Sequence, residues 1–574
     1  MLNQISPHNL ARYGDFIFME REYMSNSLDL QRLPCGETNF EKMIDGNLIY
    51  VDKTDLIFEL TKIESSPILF TRPRRFGKSL LISVLNNLFK QRRQYFKGLK
   101  IEKLWNDTGT YKVLHLDFST IASNDFEKFN LRFTGALKSF AKEYLLTYSE
   151  LLNEPRALLR ELLSQCQNRE VVLLIDDYDL PLTSVGGESQ SQKAIKEYLI
   201  SFFALLKALS SKFRFMFITG ETRYFDMSIL SAFNTILDLT LNKKYGALLG
   251  YTKEELEHYF LPYIKRASLE LDCTVDEVFY NLKLNYGGFC FEESASVFVY
   301  NPWSILNFLQ LVSSSCGYKC YWANSSGYST LIVNYFKDLS KLRRAHSYSL
   351  NMLSNNIDGT EVISKAKLES PSSILDKDPL LMMYQAGYYS IKSVDGNAVS
   401  IGIPNLELRQ FIKNMFFDEI FLSNLESSDI IYLRKNADFK AIQKACLSKA
   451  EEDFFDIFDA VANTFGYDTT IFDVEANLRD ILYSYFLYAH VNASREVLQQ
   501  RGRTDLIIEM DGQRFVFELK LLKEQDNLEK VLEDATSQVL TRDYGKVAPI
   551  LPLTRYVVVF SSPDKCLKKV VRVD

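Results

Sequence analysis

Between Leu33 and Asn324, short apolar runs alternate with amphipathic segments along the chain. Four of these runs predict strands, namely residues 68–70, 113–118, 171–175 and 213–219. A strand that is covered on both faces is apolar throughout, whereas segments such as 201–209 have the apolar spacing of a helix. This part of the chain therefore predicts an α/β fold in which helices cover a parallel sheet.

The pattern changes after residue 379. Residues 380–387 predict a helix that ends at a glycine, and residues 406–417 predict a second helix. Between them, residues 388–391 and 398–403 predict two strands that are joined across Asp395-Gly396. A helix, a two-stranded wing and another helix suit a small winged-helix-like domain, and an ordinary helical linker domain is the alternative.

A final unit begins near Ala441 and has helical periodicity to about Ala489. It continues with strand-like runs at 505–509 and 514–521, a helix that contains Gln538, and a strand at 556–560. The first residues are polar and poorly periodic. We therefore expect an arm (1–30), an α/β domain (31–325), a helical or winged-helix-like linker domain (326–440) and a second α/β domain (441–574).

The composition is that of an ordinary globular protein, with 47% hydrophobic and 24% charged residues among 574. A net charge of −6 gives no global field that attracts a polyanion, so any nucleic-acid surface has to be local. The N-terminal segment lacks the features of a secretory signal, and no apolar run approaches the ~18 residues that span a bilayer. The eight cysteines have neither zinc nor disulfide spacing. We expect a cytoplasmic protein with reduced thiols and no membrane partner.

The loop after the predicted strand 68–70 is the most informative segment. It reads Arg72-Pro73-Arg74-Arg75-Phe76-Gly77-Lys78-Ser79 and leads into a predicted helix. In a nucleotide-binding P-loop, backbone N–H groups surround the phosphates, a lysine reaches the outer phosphates, and a hydroxyl holds Mg²⁺. Lys78 and Ser79 supply those groups, but the general pattern has glycine where this chain has Arg72. A basic turn between a strand and a helix is the alternative.

A P-loop also needs acidic side chains, because bound ATP carries a Mg²⁺ that carboxylates hold directly or through water. Asp176 and Asp177 follow the apolar run 171–175, at the strand end where open α/β sheets bind ligands. We expect Asp176 to coordinate Mg²⁺ and Asp177 to polarise the attacking water. Asp177 is shorter than the glutamate often found at such a position, so slow hydrolysis is consistent with it. A solvated acidic turn is the alternative.

Seven motifs occur in order over roughly residues 30–325. They are YVDKT from Tyr50, RPRRFGKS from Arg72, IDDYDLPL from Ile175, TG from Thr219, GYTKEEL from Gly250, YGGF from Tyr286 and YNPWS from Tyr300. Together they resemble the AAA-ATPase-like family of microbial proteins, whose loop characteristically reads R-P-R-R-F-G-K-S. The resemblance makes arginine the usual residue at position 72.

The resemblance implies a P-loop ATPase domain with a helical lid, and ATP with Mg²⁺ as its cofactors. It implies a polar sensor at Thr219 and a nearby cation at Arg223. In the loop and the helix after it, the expected nucleotide contacts are Arg75, Phe76, Gly77, Lys78, Ser79 and Leu80, with Asp176 opposite them. Residues 50–54 wall the base pocket or form a structural β-turn. The turn at residues 301–304 packs near the nucleotide, and for Trp303 we favour a place in the hydrophobic core.

A second constellation lies near the end of the chain. Asp505 opens one predicted strand, and Glu518 and Lys520 lie two residues apart in the next, so that both face one side of a sheet. A hairpin through residues 510–513 would bring Asp505 beside them. Two carboxylates and a lysine suit metal-assisted phosphodiester hydrolysis, in which the acids bind Mg²⁺, the metal and lysine activate a water, and the metal stabilises the developing charge. An exposed strand with an ordinary salt bridge is the alternative.

Glu475 upstream, and Gln538 with Tyr544 downstream, complete a resemblance to the α/β/α fold of the PD-(D/E)XK nucleases, with which members of the AAA-ATPase-like family commonly end. The resemblance implies a metal site at Glu475, Asp505 and Glu518, with Mn²⁺ as an alternative to Mg²⁺, and a glutamine helix beside it. Arg479 departs from the histidine that is often found near that position.

Three functions follow from these patterns. The leading one is an ATP-regulated, Mg²⁺-dependent nuclease that acts on DNA or RNA, with a role in microbial defence or conflict by analogy. The others are a nucleotide-dependent switch or scaffold that binds nucleic acid without cutting it, and a protein whose loop is structural and binds no ATP. Basic residues cluster at 90–100 and 565–572, where solvated faces are the alternative to a nucleic-acid surface. A homo-oligomer is compatible with the sequence.

Overall fold

The computed structural model of the protein describes residues 30–64, 66–183, 190–222, 236–315, 317–322, 360–369, 379–415, 437–463, 471–489, 491–499, 502–546 and 550–574. Residues 1–29 of the predicted arm and Arg223 lie outside the described residues. By their internal contacts the residues form two compact units, of which the first includes 360–412 and the second includes 413–574. The division into four domains stays a prediction.

A five-stranded parallel sheet forms the centre of the first unit. Its strands are β1 (Ile68–Thr71), β2 (Lys112–Asp117), β3 (Val171–Asp176), β4 (Phe213–Gly220) and β5 (Leu237–Asp238). Their order is β2-β3-β4-β1-β5, and every neighbouring pair is parallel. All residues of β3 are buried, which is the reason for the continuous apolar run from which the strand was predicted. The prediction of a parallel sheet is confirmed.

Helices between residues 118 and 208 share an apolar core with this sheet, whereas those between residues 253 and 315 form a separate core. Several helices of this unit begin at side chains that cap them. The helices are α1 (Phe40–Asp45), α2 (Thr54–Thr61), α3 (Lys78–Phe89), α4 (Phe118–Ile121), α5 (Phe126–Glu143), α6 (Pro155–Ser164), α7 (Leu180–Thr183), α8 (Gln190–Ala208), α9 (Lys253–Tyr259), α10 (Leu261–Glu270), α11 (Val275–Tyr286) and α12 (Pro302–Ser315). The Asp125 carboxylate accepts the Lys128 N–H at the start of α5, and Thr252 forms a capping box with Glu255 at the start of α9.

The same unit contains a small sheet and three further helices. Three antiparallel strands, β6 (Glu361–Ser364), β7 (Ser390–Asp395) and β8 (Ala398–Gly402), are ordered β6-β8-β7. The helices are α13 (Lys365–Glu369), α14 (Pro379–Gln385) and α15 (Leu406–Met415). The predicted order of helix, hairpin and helix is confirmed, and a third strand, β6, joins the hairpin. Strand β6 was not predicted, because its four residues carry a single buried side chain.

The carboxylate of Glu407 ties α15 to α12 and to the segment after it. One oxygen accepts the Ser304 hydroxyl and the other accepts the Trp322 backbone N–H, each at 2.7 Å. Glu407 is 4% exposed. Burial raises the pKa of this carboxyl to about 7, although both hydrogen bonds favour its charged form.

The second unit contains a mixed five-stranded sheet. Its strands are β9 (Asn492–Gln499), β10 (Gly502–Met510), β11 (Gln513–Leu522), β12 (Leu553–Ser561) and β13 (Cys566–Arg572), in the order β13-β12-β11-β10-β9. Only β11 and β12 are parallel neighbours. The helices are α16 (Phe439–Ser448), α17 (Glu451–Ala462), α18 (Glu475–Tyr488) and α19 (Leu528–Thr541). Side chains of α16, α17 and α18 share one apolar core with the sheet, and those of α19 share another. Strands β9 and β13 were not predicted.

Glu407 makes the stability of the first unit dependent on pH. In the unfolded chain this carboxyl ionises near its ordinary pKa of 4.5, whereas in the folded chain its pKa is about 7. The folded chain therefore binds more protons in this interval and loses stability as the pH rises through it, by at most about 1.4 kcal/mol per pH unit. Glu407→Gln lacks this titration, so its melting temperature relative to wild type should rise from pH 5 to pH 7. The exposed Glu127→Gln is the control, and parallel pH curves for both variants would contradict the expectation.

Candidate functional site

The loop between β1 and α3 has the backbone of a phosphate-binding turn. Gly77 has φ +103°, which glycine adopts without strain, and Arg75 has φ +65°. Helix α3 begins at Lys78, so its free N–H groups lie where a phosphate would bind. The Lys78 ammonium is buried and donates to the Pro73 carbonyl at 3.3 Å. The loop therefore holds its lysine close to the place where a phosphate would lie.

Arg72, which takes the place of the usual glycine, is a structural cation. Its guanidinium is 1% exposed and donates to the carbonyls of Thr71 and Thr240 at 2.8 Å and of Tyr245 at 3.2 Å. It also lies over the rings of Phe70 and Phe291, at 4.1 Å and 4.8 Å from their centres. Burial lowers the pKa of Arg72 to about 10. Arg72 thus fixes the start of the loop to the segment that follows β5.

The register of the sheet places the predicted acids beside the loop. Asp176 ends β3, and its neighbour across the sheet is Asp117 at the end of β2. Thr219 lies near the end of β4, which separates β3 from β1. Its hydroxyl is buried and donates to the Phe70 carbonyl at 2.7 Å. The role of Thr219 as a sensor stays a prediction, because the hydroxyl is engaged within the sheet.

Asp176 and Asp177 share a crowded acidic environment. Burial and the neighbouring Asp177 raise the pKa of Asp176 to about 6, while a hydrogen bond from the Ser79 hydroxyl acts in the opposite direction. Burial also raises the pKa of Asp177, against the nearby Lys78. Carboxylate and hydroxyl oxygens are ligands that Mg²⁺ prefers. Ser79, Asp176 and Asp177 therefore fit the metal of a bound nucleotide.

Sequence reasoning missed two further acids at this edge. Asp117 caps α4 by accepting the Ser119 N–H, and Glu221 follows β4 and pairs with Arg74. Both raise the pKa of Asp177. Each follows an apolar run at the same strand end as Asp176, which is the signal that could have found them.

A cavity of about 150 Å³ lies beside the loop. Four of the predicted nucleotide contacts line it, namely Arg75, Phe76, Gly77 and Leu80. Tyr50, Val51 and Lys53 form another part of the wall, and the segment continues into α2 instead of a β-turn. The walls are largely apolar, which suits the faces of a nucleotide base. The side chain of Phe76 is buried between Phe289 and Phe291, so the backbone of this residue is the part that a ligand can contact.

Trp303 also lines this cavity, where the sequence favoured a place in the hydrophobic core. The Arg75 guanidinium stacks on its ring at 4.3 Å, and its indole N–H donates to the Tyr321 carbonyl at 3.2 Å. The expectation was wrong because the exposed Arg75 covers the ring that a core neighbour would otherwise cover.

The second constellation converges as predicted. The hairpin of β10 and β11 turns at Asp511-Gly512. The Lys520 ammonium donates to Glu518 Oε1 at 2.6 Å, and Gln538 Nε2 donates to the same oxygen at 2.7 Å. Asp505 Oδ2 accepts the Leu519 N–H at 3.0 Å. The hairpin and α19 therefore bring Asp505, Glu518, Lys520 and Gln538 together.

Glu475 and Arg479 approach this cluster from α18. Burial and Asp505 raise the pKa of Glu475, against the Lys520 ammonium. Arg479 Nη1 lies 3.7 Å from Asp505 Oδ1. The arginine that stands in place of the expected histidine therefore partly neutralises this carboxylate. Burial and Asp505 raise the pKa of Glu518 to about 7, against Lys520.

The carboxylates fit a divalent cation between Asp505 and Glu518. Glu518 is 2% exposed, and its Oε2 has no hydrogen-bond partner among the described residues, which is costly for a buried carboxylate unless a cation meets it. Within the described ranges, however, no three His, Cys, Asp or Glu side chains are already gathered as a metal cluster. The predicted roles of Glu475, Asp505 and Glu518 as ligands stay predictions.

Comparison with known families supports the two regions separately. Residues 34–230 match the family described as predicted AAA-ATPase. Residues 473–569 match the PD-(D/E)XK nuclease superfamily. The chain joins an AAA-ATPase-like domain to a PD-(D/E)XK nuclease-superfamily domain. Both resemblances inferred from the sequence motifs are confirmed.

A curated relative has a similar extent. It is described as an uncharacterized protein in the vnfD 5'region of Azotobacter chroococcum mcd 1, and it is 24% identical over 505 residues, or 86% of this chain and 90% of that protein. A solved structure described as a DNA replication initiation factor aligns at 12% identity over 56% of this chain and 74% of its own, with a TM-score of 0.22.

The basic cluster of the AAA-ATPase-like domain is mostly neutralised. Lys90 pairs with Glu143, Arg92 with Glu41 and Lys100 with Asp55. These pairs favour the alternative of an ordinary solvated face. Of the helices that the structure describes, none combines the length and the apolar character that a bilayer crossing needs.

The two arginines of the P-loop should respond differently to glycine. Arg72→Gly leaves three buried carbonyls without their donor, so it should lower the free energy of unfolding by about 3 kcal/mol or more. Arg75→Gly loses the stack on Trp303 but relieves a positive φ, so its effect should stay within about 1 kcal/mol. Thermal unfolding of both variants measures this difference, and equal effects would contradict a structural role for Arg72.

Proposed function

We propose that this protein is a nucleotide-regulated, metal-dependent nuclease. ATP with Mg²⁺ binds at the P-loop of the AAA-ATPase-like domain, and phosphodiester hydrolysis of DNA or RNA takes place in the nuclease-superfamily domain. The observation that carries the proposal is the buried Glu518 carboxylate, with Lys520 and Gln538 on one oxygen and no partner among the described residues for the other. A role in microbial defence or conflict belongs to the same proposal.

The residues of the P-loop would divide the work of holding the nucleotide. Lys78 and the N–H groups at the start of α3 neutralise the phosphates, while Ser79 and Asp176 hold the Mg²⁺. Asp177 orients the attacking water. The cavity lined by Tyr50 and Trp303 would receive the base, and Arg223 would supply a further cation.

In the nuclease-superfamily domain, Asp505 and Glu518 would hold a divalent ion, with Glu475 assisting. When bound, Mg²⁺ or Mn²⁺ supplies Lewis-acid stabilisation of the charge that develops on the phosphate. Lys520 offers ammonium donors to the same region, and Gln538 fixes the Glu518 carboxylate in place. The Leu519 N–H fixes Asp505 Oδ2, and Arg479 Nη1 lies 3.7 Å from Oδ1.

A second candidate function is a nucleotide-dependent switch or scaffold that binds nucleic acid without cutting it. It is favoured by Arg479, whose guanidinium lies 3.7 Å from Asp505 Oδ1 and competes with a metal ion for this carboxylate. The two candidates differ in whether the bound nucleic acid is cleaved.

Incubation with plasmid, linear single-stranded DNA and RNA, with Mg²⁺ or Mn²⁺ and with or without ATP, should show metal-dependent cleavage. Asp505→Asn and Lys520→Ala should each reduce the rate by at least about 100-fold, because each removes a charge from the reacting centre. The matched controls are Asp511→Asn in the exposed hairpin turn and Lys523→Ala just after β11. Cleavage that persists in both site variants would exclude this site. Binding of nucleic acid by wild type without any cleavage would support the switch or scaffold function instead.

Lys78→Ala should weaken nucleotide binding about tenfold or more and reduce ATP hydrolysis more steeply, since the lysine neutralises charge that grows in the transition state. Calorimetric titration with ATP and Mg²⁺ measures the affinity. Lys62→Ala removes an exposed ammonium of the same domain and should bind normally. Equal affinities of wild type and Lys78→Ala would show that the loop is structural.

A further inference from the structure

A second cation is connected to Glu518 through a buried hydroxyl. Tyr544 is fully buried, and its hydroxyl accepts from Gln538 Nε2 at 3.0 Å and from Arg542 Nη1 at 3.1 Å. Gln538 Nε2 also donates to Glu518 Oε1. Consecutive hydrogen bonds therefore connect the Arg542 guanidinium to the carboxylate at the centre of the site.

Arg542 has unused donors, unlike the other cations nearby. Arg542 is exposed directly after α19, and among the described residues its guanidinium has the Tyr544 hydroxyl as hydrogen-bond partner and no carboxylate within ion-pair distance. A guanidinium carries five N–H donors, so most of them are left for a ligand. By contrast, Lys520 is engaged by Glu518, and Arg479 lies against Asp505.

The position of Arg542 is fixed by packing against β10. A Cβ atom at Gly502 would lie 2.9 Å from the Tyr544 hydroxyl and 3.0 Å from Arg542 Cδ. A side chain at 502 would therefore displace the Tyr544 hydroxyl or the Arg542 stem, so the glycine allows both residues to lie against the strand that carries Asp505. The stem of Arg542 is therefore held at the site, while its guanidinium stays accessible.

We propose that Arg542 binds a phosphate of the nucleic-acid strand next to the phosphodiester that lies at Asp505 and Glu518. The inference rests on the proposed function of this domain. A guanidinium matches phosphate oxygens through two parallel hydrogen bonds and stays charged at any working pH. A chain with a net charge of −6 needs such local cations to hold a polyanion. Arg542 would position the strand, and the chemistry would stay with Asp505, Glu518 and Lys520.

Binding measurements on the full chain test this contact. Asp505→Asn prevents cleavage, and in that background Arg542→Ala is compared with Lys546→Ala, which removes the same charge from an exposed lysine paired with Asp543. The probes are fluorescein-labelled single-stranded DNA, duplex DNA and RNA of one sequence. Arg542→Ala should weaken binding roughly tenfold and lower the slope of log affinity against log salt by about 0.7 to 0.9, as expected for one lost phosphate contact. Lys546→Ala should change neither quantity appreciably.

Kinetics in the active chain separate a phosphate contact from a structural role. Arg542→Ala should mainly raise KM, and Arg542→Lys should recover the salt slope because it keeps the charge. A loss of kcat with unchanged KM and salt slope would mean that Arg542 acts only through Tyr544 and Gln538, and would overturn the proposal. Equal binding by Arg542→Ala and Lys546→Ala, with cleavage by wild type intact, overturns this inference alone. A wild-type chain that neither binds nor cleaves nucleic acid overturns the proposed function as well.

Discussion

The parallel register of β1, β4 and β3 is the constraint on which the nucleotide site depends. Phe217 of β4 pairs with Ile68 of β1 on one side and with Leu174 of β3 on the other, so the three strands end at one edge of the sheet. The P-loop leaves β1 at this edge and Asp176 ends β3 there, although about a hundred residues separate them in the sequence. A shift of register in either pair would separate the lysine from the carboxylates. The site is therefore a property of the sheet as much as of the loop.

Both sites contain buried carboxylates, and their charges are compensated in different ways. At the P-loop, the consecutive residues Asp176 and Asp177 lie near Lys78, and burial favours the neutral forms of both carboxyls. In the nuclease-superfamily domain, Glu518 is balanced by Lys520, but one of its oxygens is left without a partner among the described residues. Burying a carboxylate costs several kcal/mol unless a cation compensates it. Both arrangements are therefore suited to a divalent ion, with the stronger case at Glu518.

Local chemistry could be predicted from the sequence, and contacts between distant segments could not. Residues 171–175 are apolar because both faces of β3 are covered, so the strand and the acids that follow it could be predicted. The hairpin that joins Asp505 to Glu518 was readable from its turn residues. Strand β9, however, carries Asn492, Ser494 and Arg495, whose polar character hides a strand. Asp117 lies within the predicted strand 113–118, but the order of the strands, which places it beside Asp176, is not contained in any local pattern.

The P-loop is also shaped by segments that no local pattern connects with it. The Trp322 indole N–H donates to the Arg74 carbonyl at 3.0 Å, and its ring packs on Tyr388 and Phe411. A Cβ atom at Gly387, which has φ +83°, would lie 2.5 Å from Pro73. The loop is thus held by Arg72 on one side and by Trp322 and the residues 387–411 on the other. Any movement of Pro73 or Arg74 on binding a phosphate has to be accommodated by these residues, which couples them to the candidate nucleotide site.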